Sequence, residues 1–131
     1  MAALKHSRQR DAILESLQHR TDHPTAATLY DDIRTDFPNI SLGTVYRNLA
    51  LLSDLGMIRK LTAADGADHY DGNVVPHNHF LCRCCNSILD LPPVDTASIA
   101  AKAAGDFDGT IESCSVSFYG VCGSCRKDAA N

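Results

Sequence analysis

Apolar positions recur at helical spacing through residues 7–19, SRQRDAILESLQH, where Ile13, Leu14 and Leu17 form one stripe and Ser7 can cap the start. His23-Pro24-Thr25 reads as a turn into a second helix, with Thr25 as N-cap and Ala26, Leu29, Tyr30 and Ile33 facing inward. Phe37-Pro38-Asn39 stops that helix, because proline cannot continue it. A third helix is predicted over 41–54, capped by Ser41. Leu42, Val45, Leu49 and Leu52 share one of its faces, Thr44, Arg47 and Asn48 another, and Leu55-Gly56 closes it. Met57–Thr62 then reads as a strand, Ala64-Asp65-Gly66 as a turn, and Asp68-His69-Tyr70 as the start of a returning strand. Three helices followed by a hairpin outline a winged helix-turn-helix over residues 1–70.

The pattern changes after Tyr70. Asp71-Gly72-Asn73 suggests a hinge over 71–75, and residues 76–131 a second domain. There His77–Cys82 and Ser87–Leu91 read as short strands flanking a cysteine turn. Val94–Ala104 reads as a helix with Asp95 or Thr96 as cap. Thr110–Tyr119 alternates, with Glu112, Cys114, Val116 and Phe118 on one face, and is predicted to be a strand. The fold class expected is therefore α+β.

Composition sharpens this picture. A chain of 131 residues accommodates two small domains, and a domain of this size buries so little that a metal cross-link helps. The N-terminus, MAALKHSRQR, lacks the apolar stretch of a secretory signal, and no run is long enough to span a membrane. A cytoplasmic protein without a membrane partner is expected. The net charge of -4 looks unfavourable for nucleic-acid binding. However, residues 1–65 hold eight basic and eight acidic residues, so the acidic excess lies wholly in the second half.

Six cysteines in such a chain suggest metal before disulfide. Cys82-Arg-Cys-Cys85 and Cys122-Gly-Ser-Cys125 are two C-x2-C knuckles. Each presents two sulfurs to one ion, and together they complete a closed tetrahedral shell for structural zinc. Cys84 competes in principle, but the two-residue spacer makes the better knuckle. Cys114 reads as a small buried hydrophobe. Ahead of the first knuckle, His77-Asn-His79 places two imidazoles on one face of a strand, and Asp90 follows on a strand that can return beside them. The pair is equally readable as solvated surface histidines. Nitrogen and carboxylate donors without thiolate suit Fe(II), Mn(II) or Zn(II). Beyond this pair nothing suggests a general base in a pocket, so an enzyme is not expected.

The order His23-Pro-Thr, Ser41-x-x-Thr-Val-Tyr-Arg-x-Leu, His77-x-His, Cys-x2-Cys and Tyr119-Gly-Val-Cys-x2-Cys resembles the ferric uptake regulator family along nearly the whole chain. The resemblance implies a homodimeric repressor whose winged helix binds a palindromic operator in double-stranded DNA and whose C-terminal α/β half dimerises. It also implies a regulatory site for Fe(II) or Mn(II) made by His23, Asp71, His77, His79 and Asp90. Aspartate rather than glutamate at 71 and 90 resembles the peroxide-sensing, PerR-type branch, in which His23 and His77 would be oxidised and DNA released. An iron- or zinc-responsive uptake regulator is the alternative. Asn78 and Cys114 depart from residues common at a third metal site of many members.

In a winged helix the third helix enters the major groove, which makes Thr44, Arg47 and Asn48 candidate contacts. The resemblance adds Tyr46 and favours Arg47. Lys5 and Arg8, near the start of the first helix, are candidates for phosphate or the minor groove, and Arg59 and Lys60, on the wing, for phosphate.

Overall fold

A computed structural model describes residues 7–129. The chain divides into two compact units, Met1–Val75 and Pro76–Asn131.

The first unit contains α1 (Arg8–Gln18), α2 (Ala26–Ile33), α3 (Leu42–Asp54), β1 (Arg59–Thr62) and β2 (Asp68–Asp71). Each helix begins where a hydroxyl can satisfy an otherwise orphaned amide. Ser7 accepts from the Arg10 N–H, Thr25 from Thr28 and Ser41 from Thr44. α3 ends in a Schellman turn: the N–H of Gly56 donates to Ser53 and that of Met57 to Leu52, with Gly56 at φ 74°. The predicted stripes converge on one core of Ile13, Leu17, Leu29, Val45, Leu49 and Leu52, closed by Ile58 and Tyr70. Leu42, expected on that face, is instead exposed in the first turn of α3. β1 and β2 pair antiparallel, Arg59 opposite Asp71 and Lys60 opposite Tyr70, and form the wing. Asp71, expected in the hinge, is thus the last residue of a strand.

The second unit contains β3 (Asn78–Cys82), β4 (Ile88–Leu91), α4 (Thr96–Ala104), β5 (Phe118–Gly120) and α5 (Gly123–Ala129). The sheet order is β4-β3-β5, with β4 antiparallel and β5 parallel to β3. Asp95, one of the two expected caps, accepts from the Ser98 N–H. The strand expected over 110–119 is a correction. Only Phe118–Gly120 pairs, and the alternating residues ahead of it have no strand partner within this unit. Gly123–Ala129, for which the sequence pattern predicts no element, is helical. No helix among the described residues is long and apolar enough to cross a membrane.

Candidate metal centres

The four-cysteine cluster is built from local turns. Cys82 ends β3, and the chain folds back so that Asn86 N–H donates to the Cys82 carbonyl and Cys82 N–H to that of Ser87. Asn86 adopts φ 61°, a left-handed conformation that asparagine tolerates better than most residues. Arg83 N–H donates to Gly120, which ties this turn to the end of β5. Cys122 and Cys125 follow directly, with Cys125 in the first turn of α5, where Arg126 N–H donates to Cys122. The helix absent from the sequence reading therefore sets the spacing of the second sulfur pair.

The Sγ atoms of Cys82, Cys85, Cys122 and Cys125 all lie within 4.8 Å of one another. Those of Cys85 and Cys122 are 3.8 Å apart. Thiolates about 2.3 Å from a tetrahedral zinc ion would be about 3.8 Å apart, so the donors fit. At Cys82 and Cys85 the electrostatics also favour thiolate, the form that binds metal. Hydrogen bonds, chiefly the 3.4 Å one from the Cys122 N–H and then that from Cys85, pull Cys82 down to about 6. The Ser87 hydroxyl, 2.7 Å away, lowers Cys85. Cys125 is pushed up, first by Cys122 and then by Cys85, as expected when sulfurs crowd and share protons. Cys84 is exposed and stands outside the cluster, and Cys114 is half-buried rather than buried.

The remaining candidate ligands fall into two groups, one in each unit. In the second, β3 and β4 place His79 opposite Asp90. The Nε2 atoms of His77 and His79 each lie 3.4 Å from Asp90 Oδ1, and their ring centroids are 4.5 Å apart. His77 precedes the first residue of β3, so its convergence with His79 comes from the approach to the strand as well as its pleat.

In the first unit, His23 and Asp71 are both buried, and each has a ligand atom within 4.8 Å of the other's. His23 has φ 50°, a left-handed backbone that costs a non-glycine residue roughly 1–2 kcal/mol. Its turn is held to β2 at two points: Tyr70 N–H donates to the Pro24 carbonyl at 2.9 Å, and His69 Nδ1 lies 2.6 Å from the His23 carbonyl oxygen. Asp71 accepts from Asn73 N–H at 2.9 Å. Gly72 is required beside it, because a Cβ there would lie 2.6 Å from the Leu17 carbonyl carbon and oxygen. His23 carries no ligand signal in the sequence beyond the family pattern. His69 was missed altogether, since its role depends on a main-chain oxygen 46 residues away.

Of the candidate nucleic-acid contacts, Tyr46 and Arg47 on α3, Arg8 on α1, and Arg59 and Lys60 on β1 are exposed. Thr44 and Asn48 are half-buried. Arg47 donates to Thr44 Oγ1 at 2.9 Å, and Asn48 Nδ2 to the Thr44 carbonyl at 3.1 Å. Lys5 lies outside the described residues.

The sequence profile of the Ferric uptake regulator family matches residues 1–119. The chain is 35% identical to the peroxide-responsive repressor PerR of Staphylococcus epidermidis over 129 residues, 97% of this chain and 85% of that protein. A crystal structure of the Campylobacter jejuni peroxide stress regulator superposes with a TM-score of 0.74 at 30% identity, covering 89% of this chain and 88% of that one. The Helicobacter pylori ferric uptake regulator, a structure reported to have three functional metal-binding sites, superposes with a TM-score of 0.82 at 22% identity, covering 94% and 83%. At that identity it speaks for the fold alone.

Proposed function

Because this chain belongs to the ferric uptake regulator family of metal-responsive regulators, we propose that it is a DNA-binding repressor that senses hydrogen peroxide through a bound Fe(II) ion. Its ligands would be His23 and Asp71 from the first unit and His77, His79 and Asp90 from the second. The observation that carries the metal reading is the approach of two imidazole nitrogens to one carboxylate oxygen, each at 3.4 Å. Imidazole and carboxylate donors suit Fe(II) or Mn(II), and short aspartates in place of longer acids speak for the peroxide-sensing branch. The PerR relatives support the same branch.

A ligand set taken from both units would couple metal binding to operator binding. Fe(II), when bound, would supply the redox chemistry that cleaves the O–O bond of peroxide. The chain's part would be to hold the imidazoles of His23 and His77 beside the ion, so that a ring carbon gives up two electrons and gains one peroxide oxygen while the other leaves as water. An oxidised imidazole is a poorer ligand, so the coupling is lost and DNA would be released.

Cys82, Cys85, Cys122 and Cys125 would hold structural zinc, since four thiolates leave no position open to substrate. The regulator would be a homodimer on a palindromic operator. Support for a second copy comes from the unpaired alternating residues ahead of β5 and from a groove of about 480 Å³ beside α4, lined by Ala97, Ala100, Ala104, Ile111 and Cys114. α3 would enter the major groove with Thr44, Tyr46, Arg47 and Asn48, while Lys5, Arg8, Arg59 and Lys60 meet phosphate.

The test loads the protein with Fe(II) without oxygen and adds one equivalent of peroxide. Peptides holding His23 or His77 should gain one oxygen, with loss of operator binding, and the Mn(II) form should not change. Metal-dependent DNA binding without that gain would sink the peroxide reading and leave an iron- or zinc-responsive uptake regulator.

A further inference from the structure

We infer that His69 is a positioning residue for the regulatory metal, acting through the main chain of His23; the inference rests on His23 being a ligand, as proposed above. Three observations in the first unit lead to it. His23 holds φ 50°, a left-handed conformation that a residue with a Cβ adopts only where its surroundings impose it. A side chain from a distant segment meets its carbonyl oxygen: His69 Nδ1, at 2.6 Å. A carbonyl oxygen can only accept, so the imidazole donates from Nδ1. Finally, His69 lies on β2, opposite Leu61 of β1 and two residues before Asp71, so the strand that carries one proposed ligand also clamps the turn that carries another.

The second clamp, from Tyr70 N–H to Pro24, is main chain and does not depend on the His69 side chain. It acts one residue beyond His23. His69 holds the His23 carbonyl itself in the left-handed turn, so the His23 ring is aimed before metal arrives. Preorganisation of this kind raises affinity because less ordering remains to be done on binding, and loss of a supporting hydrogen bond at a metal site typically costs about 10–100-fold. His69 itself need not touch the ion.

The experiment measures Mn(II) affinity of the full-length protein by titration, alongside its zinc content and the thermal unfolding of the form without Mn(II). His69→Leu fills similar space without a donor. His69→Asn keeps an N–H at a position close to Nδ1. The proposal expects His69→Leu to weaken Mn(II) binding about 10–100-fold and His69→Asn to restore most of it, with zinc content unchanged in both. Unchanged affinity in His69→Leu overturns it. So does equal weakening in both variants that follows a matching loss of thermal stability, because the residue would then be merely structural. His23→Ala separates the two levels. If it leaves Mn(II) affinity intact, the ligand assignment fails and the role of His69 fails with it. If it abolishes binding while His69→Leu leaves affinity unchanged, only the positioning role fails.

Discussion

The two units are held together by different means. In the first, Ile13, Leu17, Leu29, Val45, Leu49 and Leu52 bury almost completely, and three helices share that core. In the second, α4 buries no residue at all, and Phe107, Ile111, Phe118 and Tyr119 are exposed. Its buried positions cluster instead around the candidate metal donors: His79, Leu81, Cys82, Ile88 and Cys122. One unit can rest on hydrophobic burial, which scales with the apolar area removed from water. The other has too little of that area and, in our reading, depends on a zinc cross-link and on a second copy. The contrast suits the sensor proposed above, because the half proposed to read DNA keeps a hydrophobic core of its own while the other leans on metal.

The strongest way to break this contrast is to remove the cross-link. Cys122→Ser, or chelation of zinc, should unfold the second unit while the helices of the first persist. Structural zinc contributes on the order of 10 kcal/mol in small metal-dependent folds. Amide exchange resolved by residue would follow it, and sustained protection in β3 and β4 after chelation would show a self-sufficient core. The converse change is Leu49→Ala, which opens a cavity in the first unit. It should cost about 2–5 kcal/mol in denaturant unfolding without changing zinc content. Zinc loss in that variant would mean that the units do not fold separately.

Two surface changes sharpen the picture. Arg47→Ala should weaken operator binding by about 1–3 kcal/mol if the guanidinium reads a base. Stability should barely move, since Arg47 is exposed and only braces Thr44. Undiminished affinity in a binding titration would take Arg47 out of the readout. The smallest effect belongs to Asp22, whose carboxyl is held below its usual value by the hydrogen bond from Arg20, with desolvation opposing. A lowered carboxyl pKa stabilises the fold fully above its unfolded value near 3.8 and loses that contribution as pH falls through the lower folded value. On an exposed pair this is worth less than about 1 kcal/mol at neutral pH. Unfolding curves of Asp22→Asn and the parent should therefore converge in acid, and a gap that persists there would exclude the ion pair as its cause.

Local signals made much of the first unit legible. Ser7, Thr25 and Ser41 announce helix starts because a short side-chain oxygen satisfies amides three residues on. The two C-x2-C knuckles were readable for the same reason, as each is a turn whose sulfurs meet through nearby backbone. The failures are also physical. The alternation over 110–119 is real in composition, but a strand needs a neighbour, and within this unit only Phe118–Gly120 finds one. α5 was missed because its residues, GSCRKDA, carry no apolar stripe and the cysteines were read for their chemistry alone.

Residue order by itself determined the capped helices, the wing and the meeting of four sulfurs, all of which depend on neighbours a few residues apart or on strongly specific donors. Tertiary structure alone decided the left-handed turn at His23, the tie from His69 to its carbonyl and the glycine forced beside Leu17. Those features arise from contact between segments distant along the chain, where no periodicity exists to announce them.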